Sequence, residues 1–211
     1  MSKLIYNKVM DAIDELILGF QNLKGLENDV RKAANLITDS FKTSGKLLLC
    51  GNGGSCADCE HIAGEMVKQF AKERPLSSEI VEKLGKDLSS ELHGGLPALS
   101  LPSMIGFHTA FNNDNNPEFS FAQQVVAFGK PNDILWGIST SGNSKNVIHA
   151  ARTAKALGLK TIGMTGENGG KLGQITDIAI KAPADDVARI QELHLPIYHA
   201  ICGFVENKMF P

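Results

Sequence analysis

The feature that most constrains the fold is a pattern repeated through the chain: an apolar segment, then a glycine-rich turn, then in two of the repeats a segment with helical periodicity. The apolar segments KLLLC, DILWGIS and LKTIGMT are followed by the turns GNGGS, TSGNS and GENGG, and a fourth apolar segment, DIAIKAP, comes later. Strands that alternate with helices in this way form a parallel sheet covered by helices. The sequence therefore predicts an α/β fold.

Helices are expected on both sides of this pattern. Residues 2–20 and 26–41 have helical periodicity and predict an N-terminal helical hairpin, which we place within residues 1–45. The final helix is expected over residues 187–209. A polar stretch at residues 74–97 predicts one or two short helices before the strand PALSL.

Composition and charge narrow the range of partners. The 211 residues are 43% hydrophobic and 21% charged, which is typical of a single globular domain over residues 1–211. The formal net charge of -2, with no basic stripe, argues against nucleic-acid binding. No apolar run approaches the roughly 20 residues that a bilayer crossing needs, and no secretory signal pattern is present. We expect a cytoplasmic protein with small-molecule partners and no membrane association.

The turns GNGGS and STSGNS are predicted at the carboxyl ends of strands, where ligands bind in open parallel sheets. Three familiar motifs do not fit these two turns or the turn GENGGK at residues 166–171. Cys56 stands where a dinucleotide fingerprint needs its last glycine, and Leu172 follows Lys171 where a phosphate-binding P-loop needs serine or threonine. No GxSxG elbow of a serine hydrolase surrounds Ser139 or Ser141. A nucleotide cofactor and a hydrolase nucleophile are therefore not expected.

The segment STSGNS at residues 139–144 combines four hydroxyl groups with backbone N–H groups at the start of a helix. A helix N-terminus carries about half a positive charge, and hydroxyls donate to anionic oxygens, so this segment suits a phosphate monoester. The alternative is a helix cap and turn, which such residues also form.

The stretch CGNGGSCADCEH carries two further patterns. Cys56 and Cys59 form a CxxC pair near a helix start, which allows redox or zinc-knuckle chemistry, but no second CxxC is present and small buried thiols are favoured. His61 and Glu65 lie four residues apart on the same helix, about 40° around its axis and about 6 Å along it. They either face one pocket or form an exposed polar pair.

The segment RIQELHLPIYHA in the final helix carries a second polar set, Gln191, His194 and His199. His194 either belongs to a site or lies on the surface. Pro196 is expected to bend this helix or to restrict it to later residues.

Four segments in order, GNGGS-x5-H-x3-E, ISTSGNS, TGENGGK and RIQE-x-H-x4-H, closely resemble the sugar isomerase (SIS) domain family over nearly the whole chain. The resemblance is strongest to the heptose-phosphate branch of that family. It implies a flavodoxin-like three-layer α/β/α sandwich with an N-terminal helical hairpin, assembled as a homotetramer with active sites between subunits. The implied reaction is the interconversion of sedoheptulose 7-phosphate and D-glycero-D-manno-heptose 7-phosphate, by an aldose–ketose isomerase.

The resemblance also implies roles for individual residues. One zinc ion per subunit would be held by His61, Glu65, Gln191 and His199. The sugar phosphate would be bound by Asn52, Gly53, Gly54, Ser55, Glu65, Asn113, Asp114, Ser139, Thr140, Ser141, Ser144 and Gln191. Isomerisation through an enediol needs a base for the carbon proton and a group that moves protons on the neighbouring oxygens. Glu65 fits the first role and His199 the second, while Asp114 is either an aid to ring opening or a turn residue.

The proposed ligand set raises a geometric question. In one straight helix Gln191 and His199 lie about 12 Å apart along the axis, which is long for two ligands of one ion. Either the helix starts after Gln191 and bends near Pro196, or one ligand comes from another subunit. Zinc would polarise the substrate carbonyl. Glu65 would either ligate the zinc or act as the base, because a carboxylate bound to a metal is less free to take a proton.

Two regions depart from the family pattern. Residues 77–95 look like an inserted helical segment, and GFHTAFNNDNNPEFSF only partly preserves the stretch around Asn113 and Asp114. The identity of the sugar substrate is therefore left open, and an isomerase of another ketose phosphate stays an alternative. A sensor or adaptor without catalysis is a third possibility, which the retained zinc-ligand set disfavours.

Overall fold

The structure is a computed structural model that describes residues 10–211. Within this range the helices are α1 (Ala12–Gly19), α2 (Glu27–Lys42), α3 (Gly54–Val67), α4 (Ser78–Ser89), α5 (Ile105–Asp114), α6 (Ser120–Phe128), α7 (Lys145–Ala156), α8 (Leu172–Ile175) and α9 (Val187–Met209). The strands are β1 (Leu47–Gly51), β2 (Ala98–Ser100), β3 (Ile134–Ile138), β4 (Lys160–Gly166) and β5 (Ile178–Ala182).

The five strands form one parallel sheet in the order β2-β1-β3-β4-β5. This is the flavodoxin-like order, in which the direction of winding reverses between β1 and β3. Strands β1 and β3 are buried along their whole length, as expected for a sheet covered on both faces. The predicted α/β fold is confirmed, and the loops after β1 and β3 flank the switch point where such folds bind ligands.

Alternating strand residues feed two separate cores. Leu47 and Leu49 of β1 face a core built with α1, α2, α3 and α9, whereas Leu48 and Cys50 face a core built with α6, α7 and α8. The period of two along a strand explains this division, because successive side chains point to opposite faces. The result is the expected three-layer α/β/α sandwich.

The N-terminal hairpin is present with a shorter first helix than predicted. The predicted helix at residues 2–20 corresponds to α1, which begins at Ala12, and residues 1–9 lie outside the described residues. Asp11 caps α1 by accepting hydrogen bonds from the backbone of Ile13 and Asp14. A short 3₁₀ helix connects α1 to α2, and α2 agrees with the prediction to within one residue at each end.

The segment at residues 77–95 contains α4, which is interrupted at Gly85. Gly85 has φ 75°, in the left-handed region that favours glycine, so the segment consists of two short helical pieces, as predicted. Among the described residues of α4 none is buried. The segment therefore lies on the outside of the sandwich.

The final helix α9 has the predicted bounds and continues through Pro196. Proline removes one backbone hydrogen bond from a helix interior, yet the buried side chains of His194 and Ile197, on either side of Pro196, pack this part of the helix into the core. The alternative in which the helix starts after Gln191 is wrong, because Gln191 lies in the second turn. Within residues 10–211 no helix is long and apolar enough to cross a membrane.

Candidate active site

The loop after β1 brings the chain from the sheet into α3 through two glycines. Gly53 has φ 58° and is the N-cap of α3, a conformation that L side chains rarely adopt. Gly54 leaves space for Gln191, because a Cβ at residue 54 would lie 2.3 Å from the Gln191 side-chain nitrogen. Ser55 is buried in the first turn of α3. The predicted substrate loop is thus shaped by backbone freedom at one glycine and by close packing at the next.

The loop after β3 lies against the turn after β4. Gly142 has φ 64°, and a Cβ there would lie 2.1 Å from the Gly169 carbonyl oxygen. A Cβ on Gly170 would in turn lie 2.4 Å from the Ser141 carbonyl oxygen. Backbone bonds join the same two segments, from Gly166 N–H to the Thr140 carbonyl (2.9 Å) and from Leu172 N–H to the Gly142 carbonyl (2.8 Å). The GENGG turn therefore supports the shape of the serine-rich loop.

The serine-rich loop presents hydroxyls at the N-terminus of α7. The Ser139 and Ser144 hydroxyls are 2.9 Å apart, and Ser144 is the N-cap of α7. The Ser144 side chain makes no capping hydrogen bond, and Val147 N–H donates to Asn146 Oδ1 (3.0 Å). The N–H groups of Lys145 and Asn146, at the start of the helix, are then the backbone donors that could meet an anion. Asn52 and Asn146 exchange two amide hydrogen bonds of 2.9 Å across the switch point and tie this loop to GNGGS.

Glu65 and two histidines converge on the same side of α3. Nε2 of His61 lies 3.2 Å from Oε1 of Glu65, one turn along α3. Nε2 of His199, on α9, lies 3.4 Å from Nε2 of His61. The other carboxylate oxygen of Glu65 accepts a bond of 2.5 Å from Lys68 Nζ. Glu65, early in the chain, and His199, near its end, therefore lie on either side of His61 in one cluster.

The charge state of the cluster follows from its burial. Burial lowers the pKa of His199, the nearby His61 lowers it further, and Glu65 acts in the opposite direction. His61 has this effect on His199 because the two Nε2 atoms are 3.4 Å apart and like charges repel. Glu65, only 12% exposed at its side chain, is held between His61 and Lys68. The cluster therefore combines a fixed carboxylate with an imidazole that favours its neutral form.

Gln191 lies apart from the other predicted zinc ligands. Its side chain packs on Gly54, whereas His199, eight residues later in α9, packs on His61. Eight residues of helix rise about 12 Å, so Gln191 contacts the GNGGS loop and not the histidine pair. The structure thus brings together three of the four predicted ligands, His61, Glu65 and His199.

The side chains of this cluster are of the types that zinc binds. Two imidazoles and one carboxylate form a common catalytic zinc set, and ligands about 2.1 Å from a tetrahedral ion are themselves about 3.4 Å apart. The spacings of 3.2 Å and 3.4 Å around His61 Nε2 agree with that value. Within residues 10–211, however, no group of three or more His, Cys, Asp and Glu side chains is placed so that it could hold a metal ion.

Asn113 and Asp114 are the last two residues of α5. The Asn113 amide donates a 2.8 Å hydrogen bond to Asp114, and both side chains are exposed. The beginning of α5, at Ile105 and His108, faces the GNGGS loop across a cleft of about 260 Å³. Asn113 and Asp114 lie at the other end of α5, about 12 Å along the helix from Ile105.

The CxxC pair has the properties of ordinary thiols. Cys59 is buried, and burial raises its pKa well above the usual value. Burial and the neighbouring Glu60 raise the pKa of Cys56 as well. All four cysteines are free in the part of the chain that the structure describes. Redox chemistry needs a low thiol pKa, so the interpretation as small thiols, buried in the case of Cys59, is supported.

His194 is buried, so its interpretation as a surface residue is wrong. Its Nε2 lies 3.2 Å from the Thr165 carbonyl, and among the described residues its Nδ1 has no hydrogen-bond partner. Burial lowers the pKa of His194 to about 4. The imidazole is therefore neutral at physiological pH and belongs to the core between α9 and β4.

The sequence reasoning missed a buried ion pair behind the cluster. Arg74 and Glu206, both 1% exposed, form a 2.7 Å bond, and Glu206 accepts two further bonds of 2.8 Å from the backbone of Phe70 and Ala71. Arg74 also donates to the backbone carbonyls of Glu65 (2.7 Å) and Met66 (2.6 Å), which are among the last carbonyls of α3. The only available signal was a charged residue amid the apolar periodicity of the final helix. This pair anchors the end of α3 on α9.

It also missed Tyr198 and Asp58, which lie behind His61. The Tyr198 hydroxyl is 2.9 Å from Nδ1 of His61, and Oδ2 of Asp58 is buried with no hydrogen-bond partner within the described residues. The position of Asp58 one turn before His61 was the signal in the sequence.

Comparisons with known proteins agree with this architecture. The sequence profile described as the SIS domain matches residues 13–93 and 94–166. The chain belongs to the SIS-domain family. It is 39% identical over 187 residues to the phosphoheptose isomerase of Helicobacter pylori (strain ATCC 700392 / 26695), which covers 89% of this chain and 88% of that protein. It is 46% identical over 175 residues to the phosphoheptose isomerase of Crocosphaera subtropica, covering 83% and 80%.

A solved structure supports the same placement within the SIS-domain family. The phosphoheptose isomerase of Neisseria gonorrhoeae superposes with a TM-score of 0.74 at 34% identity, covering 92% of this chain and 94% of that one. Sequence and fold relatives of this similarity place the chain among the phosphoheptose isomerases of the family.

Proposed function

We propose that this isomerase interconverts sedoheptulose 7-phosphate and D-glycero-D-manno-heptose 7-phosphate through an enediol. The observation that carries the proposal is the convergence of Glu65, His61 and His199 on the helix that starts at the GNGGS loop. A carboxylate base and an imidazole proton carrier are the groups that an enediol mechanism requires. The family relationship supports the same reaction class.

The length of the site supports a long sugar. His61 lies seven residues after Gly54, which is about 10 Å along α3. In an extended heptulose 7-phosphate, seven bonds separate carbon 2 from phosphorus and span about 8 Å, by the reach per bond of an extended chain. A pentulose phosphate is two bonds shorter and spans about 6 Å. The length of the heptulose phosphate is therefore closer than that of the pentulose phosphate to the distance along α3 from the GNGGS loop to His61.

The phosphate is held by the two loops at the switch point. Ser139, Thr140, Ser141 and Ser144 supply hydroxyl donors, and the first turn of α7 supplies backbone donors. Asn52 and the backbone of Gly53 and Gly54 complete this side of the site. Backbone and hydroxyl donors suit the dianionic group because they avoid the desolvation of a buried lysine.

Proton transfer begins on the open-chain ketose. Glu65 takes a proton from carbon 1, the carbon 1–carbon 2 double bond forms, and oxygen 2 receives a proton from His199. His199 then takes the proton of the oxygen 1 hydroxyl while Glu65 returns its proton to carbon 2, which gives the aldose. Each group ends in its starting state. Lys68 and His61 keep the Glu65 carboxylate in one orientation between these steps.

We propose that the cluster also holds one zinc ion per subunit. His61, Glu65 and His199 would be its ligands, and Gln191 would join them only by leaving its contact with Gly54 or from another subunit. When bound, zinc stabilises the negative charge that develops on the substrate oxygens. Because a ligating carboxylate is a poor base, Glu65 would ligate zinc and transfer protons at different stages.

We further infer that the chain forms a homotetramer in the cytoplasm. Asn113 and Asp114 lie on a helix without buried residues, and Ile105 at the start of that helix is 73% exposed. An apolar surface of this kind favours association between copies of the chain. A second copy would supply the contacts that complete the site beside Asn113 and Asp114. A cytoplasmic location agrees with a charged sugar phosphate as substrate.

The deciding experiment is NMR spectroscopy of sedoheptulose 7-phosphate incubated with the purified protein. We expect aldose signals to appear, with exchange of the transferred proton into D₂O. A panel of pentulose and hexulose phosphates measured in parallel tests the length argument, and turnover faster on a shorter ketose would identify another substrate. If no ketose phosphate is converted while the phosphate ester still binds, the protein is a sensor or adaptor.

A further inference from the structure

A cavity of about 390 Å³ lies beside the serine-rich loop, and the proposed proton transfers do not use it. The polar residues that line it come from α7 and from the segments before α6, α7 and α8: Glu118, Asn143, Lys145, His149, Arg152 and Lys171. Binding sites for small molecules have volumes from about 300 Å³ upward. The cavity is therefore large enough for a small organic molecule.

Three of these residues share one face of α7. Lys145, His149 and Arg152 are spaced four and then three residues apart, and side chains at these spacings are neighbours on a helix. Lys171 reaches the cavity from the turn after β4, where its backbone N–H donates a 3.0 Å hydrogen bond to Oδ1 of Asn143. A helix and a turn thus place two lysines and one arginine around one cavity.

The carboxylates around the cavity do not balance these cations. Among the described residues Glu118 is the one carboxylate in the lining, and its two oxygens lie 2.7 Å from Lys145 Nζ and 4.0 Å from His149 Nε2. Within residues 10–211 neither Arg152 nor Lys171 forms an ion pair. Three cations and one carboxylate leave two net positive charges here, although the whole chain has a formal net charge of -2. Like charges gathered in this way repel each other, and an anion in the cavity relieves the repulsion.

Arg152 differs from the other arginines of the chain. The sequence contains four arginines, and Arg31, Arg74 and Arg189 each hold a carboxylate oxygen at 2.6 or 2.7 Å. A guanidinium presents its N–H groups as a planar fork that matches the oxygens of a carboxylate or a phosphate. Arg152 lines a cavity whose carboxylate, Glu118, already has a partner, so its fork is available to an external anion.

The walls of the cavity are held in place by packing and hydrogen bonds of their own. The His149 ring stacks on the Phe119 ring, with centroids 4.3 Å apart and an angle of 12° between the planes. The Asn143 amide donates a 3.0 Å bond to the Ser141 carbonyl, and Ile148, only 7% exposed, contributes an apolar side chain. A ligand therefore meets walls that are already ordered, which lowers the entropic cost of binding.

We propose that this cavity is a second phosphate site, separate from the serine-rich loop, in which Arg152 and Lys171 bind the dianionic phosphate group of a small organic molecule. Two net positive charges match the charge of a phosphate monoester, and the guanidinium fork matches its oxygens. The serine-rich loop differs in its chemistry, because it offers hydroxyl and backbone donors. The inference goes beyond the proposed function, since the isomerisation uses neither of these two cations.

The first test titrates the full chain with methyl phosphate at about pH 7.5, where a phosphate monoester is mostly a dianion because its second pKa is about 6. NMR spectra of ¹⁵N-labelled protein should show shifts of the Arg152 Nε–H and of the Lys171 amide. In Arg152→Gln the affinity measured at Lys171 should fall by about tenfold, which corresponds to the loss of one hydrogen bond between charged groups. Lys160→Gln is the control and should bind like the wild type, because it removes an exposed lysine at the opposite end of β4 from the turn that carries Lys171. If neither Arg152 nor Lys171 responds to methyl phosphate, the proposal is overturned.

The second test asks whether the two phosphate sites are separate. Ser144→Ala removes a hydroxyl of the serine-rich loop, so it should weaken the response of that loop's amides and leave the affinity measured at Arg152 unchanged. Arg152→Gln should have the reverse effect. A parallel loss at both places in either variant would show that there is a single site, against the proposal.

The third test uses the isomerase reaction. Arg152→Gln should keep the wild-type kcat and KM for sedoheptulose 7-phosphate, because Arg152 belongs to the second site. A fall in kcat/KM would place Arg152 in the substrate's own site and contradict the proposal. The binding measurements use no ketose, so a chain that binds methyl phosphate at Arg152 but converts no ketose would contradict the proposed function alone. A chain that isomerises the sugar but shows no response at Arg152 would overturn this inference alone.

Discussion

Helices α9 and α5 both carry predicted site residues, but they are anchored in opposite ways. Eleven of the 23 residues of α9 are buried, whereas no residue of α5 is buried within the described chain. The His61–Glu65–His199 cluster is therefore completed by the protein's own core. The Asn113–Asp114 end has no such support, and this contrast indicates which half of the site a single chain can build.

The strongest expected effect is the loss of catalysis when the His61–Glu65–His199 cluster, which the core completes, is changed. Glu65→Gln keeps the size of the side chain but removes the base, so kcat should fall by about 10²- to 10⁴-fold. Binding of the sugar phosphate, measured by calorimetry, should change little because the phosphate loops are intact. Glu60→Gln, an exposed carboxylate on the same helix, is the control. Full activity of Glu65→Gln would remove Glu65 from the mechanism.

The next effect concerns the anchor of α9. Arg74→Ala leaves Glu206 as a buried unpaired charge and removes the bonds to the end of α3, so the free energy of unfolding should fall by about 3–5 kcal/mol. Lys83→Ala removes an exposed ion pair with Glu79 on α4 and should leave stability nearly unchanged. Chemical denaturation of both variants compares the two regions. Equal losses of unfolding free energy in the two variants would mean that the Arg74–Glu206 pair does not hold α9 in place.

A third prediction uses pH to probe the same core. The folded-state pKa of His194 is lowered from 6.5 to about 4, so the unfolded chain binds the extra proton more readily. Stability is therefore complete above about pH 6.5 and falls by about 3 kcal/mol as the pH drops toward 4. In His194→Gln this part of the pH dependence should disappear, whereas it should persist in His93→Gln, whose side chain is exposed. An unchanged profile in His194→Gln would assign the acid sensitivity to other groups.

The smallest effect is expected at the Asn113–Asp114 end of α5, which has no buried residues. Asp114→Asn should lower kcat/KM by about tenfold, which corresponds to the loss of about one charged hydrogen bond. If a second copy completes this end, the wild-type specific activity should also fall on dilution, in step with dissociation followed by light scattering. A monomer with full activity at every concentration would show that one chain builds the whole site.

Most of the architecture could be predicted because it depends on local patterns. The apolar segments and glycine turns mark the strands and the loops at the switch point, and helical periodicity gave the bounds of α9. Sequence spacing also placed His61 and Glu65 on one helix face. These features need only neighbours in sequence.

The remainder depends on how distant helices are rotated against each other. Arg74 and Glu206 are 132 residues apart, and Tyr198 and His61 are 137 apart, so no local pattern links either pair. The burial of His194 and the contact between Gln191 and Gly54 follow from the rotation of α9 over the sheet. A helix period shows which residues share a face and does not show which partner that face meets.

The interlocking of Gly142 with Gly169 and Gly170 has a consequence for engineering. In the two segments 139–144 and 166–171, main-chain atoms of each lie where a Cβ on a glycine of the other would stand. Each segment therefore depends on the other for its conformation. A designer who wished to graft this anion cradle onto a different scaffold would have to transplant both pieces together. Directed evolution of the cradle should likewise progress through paired changes, one in each piece.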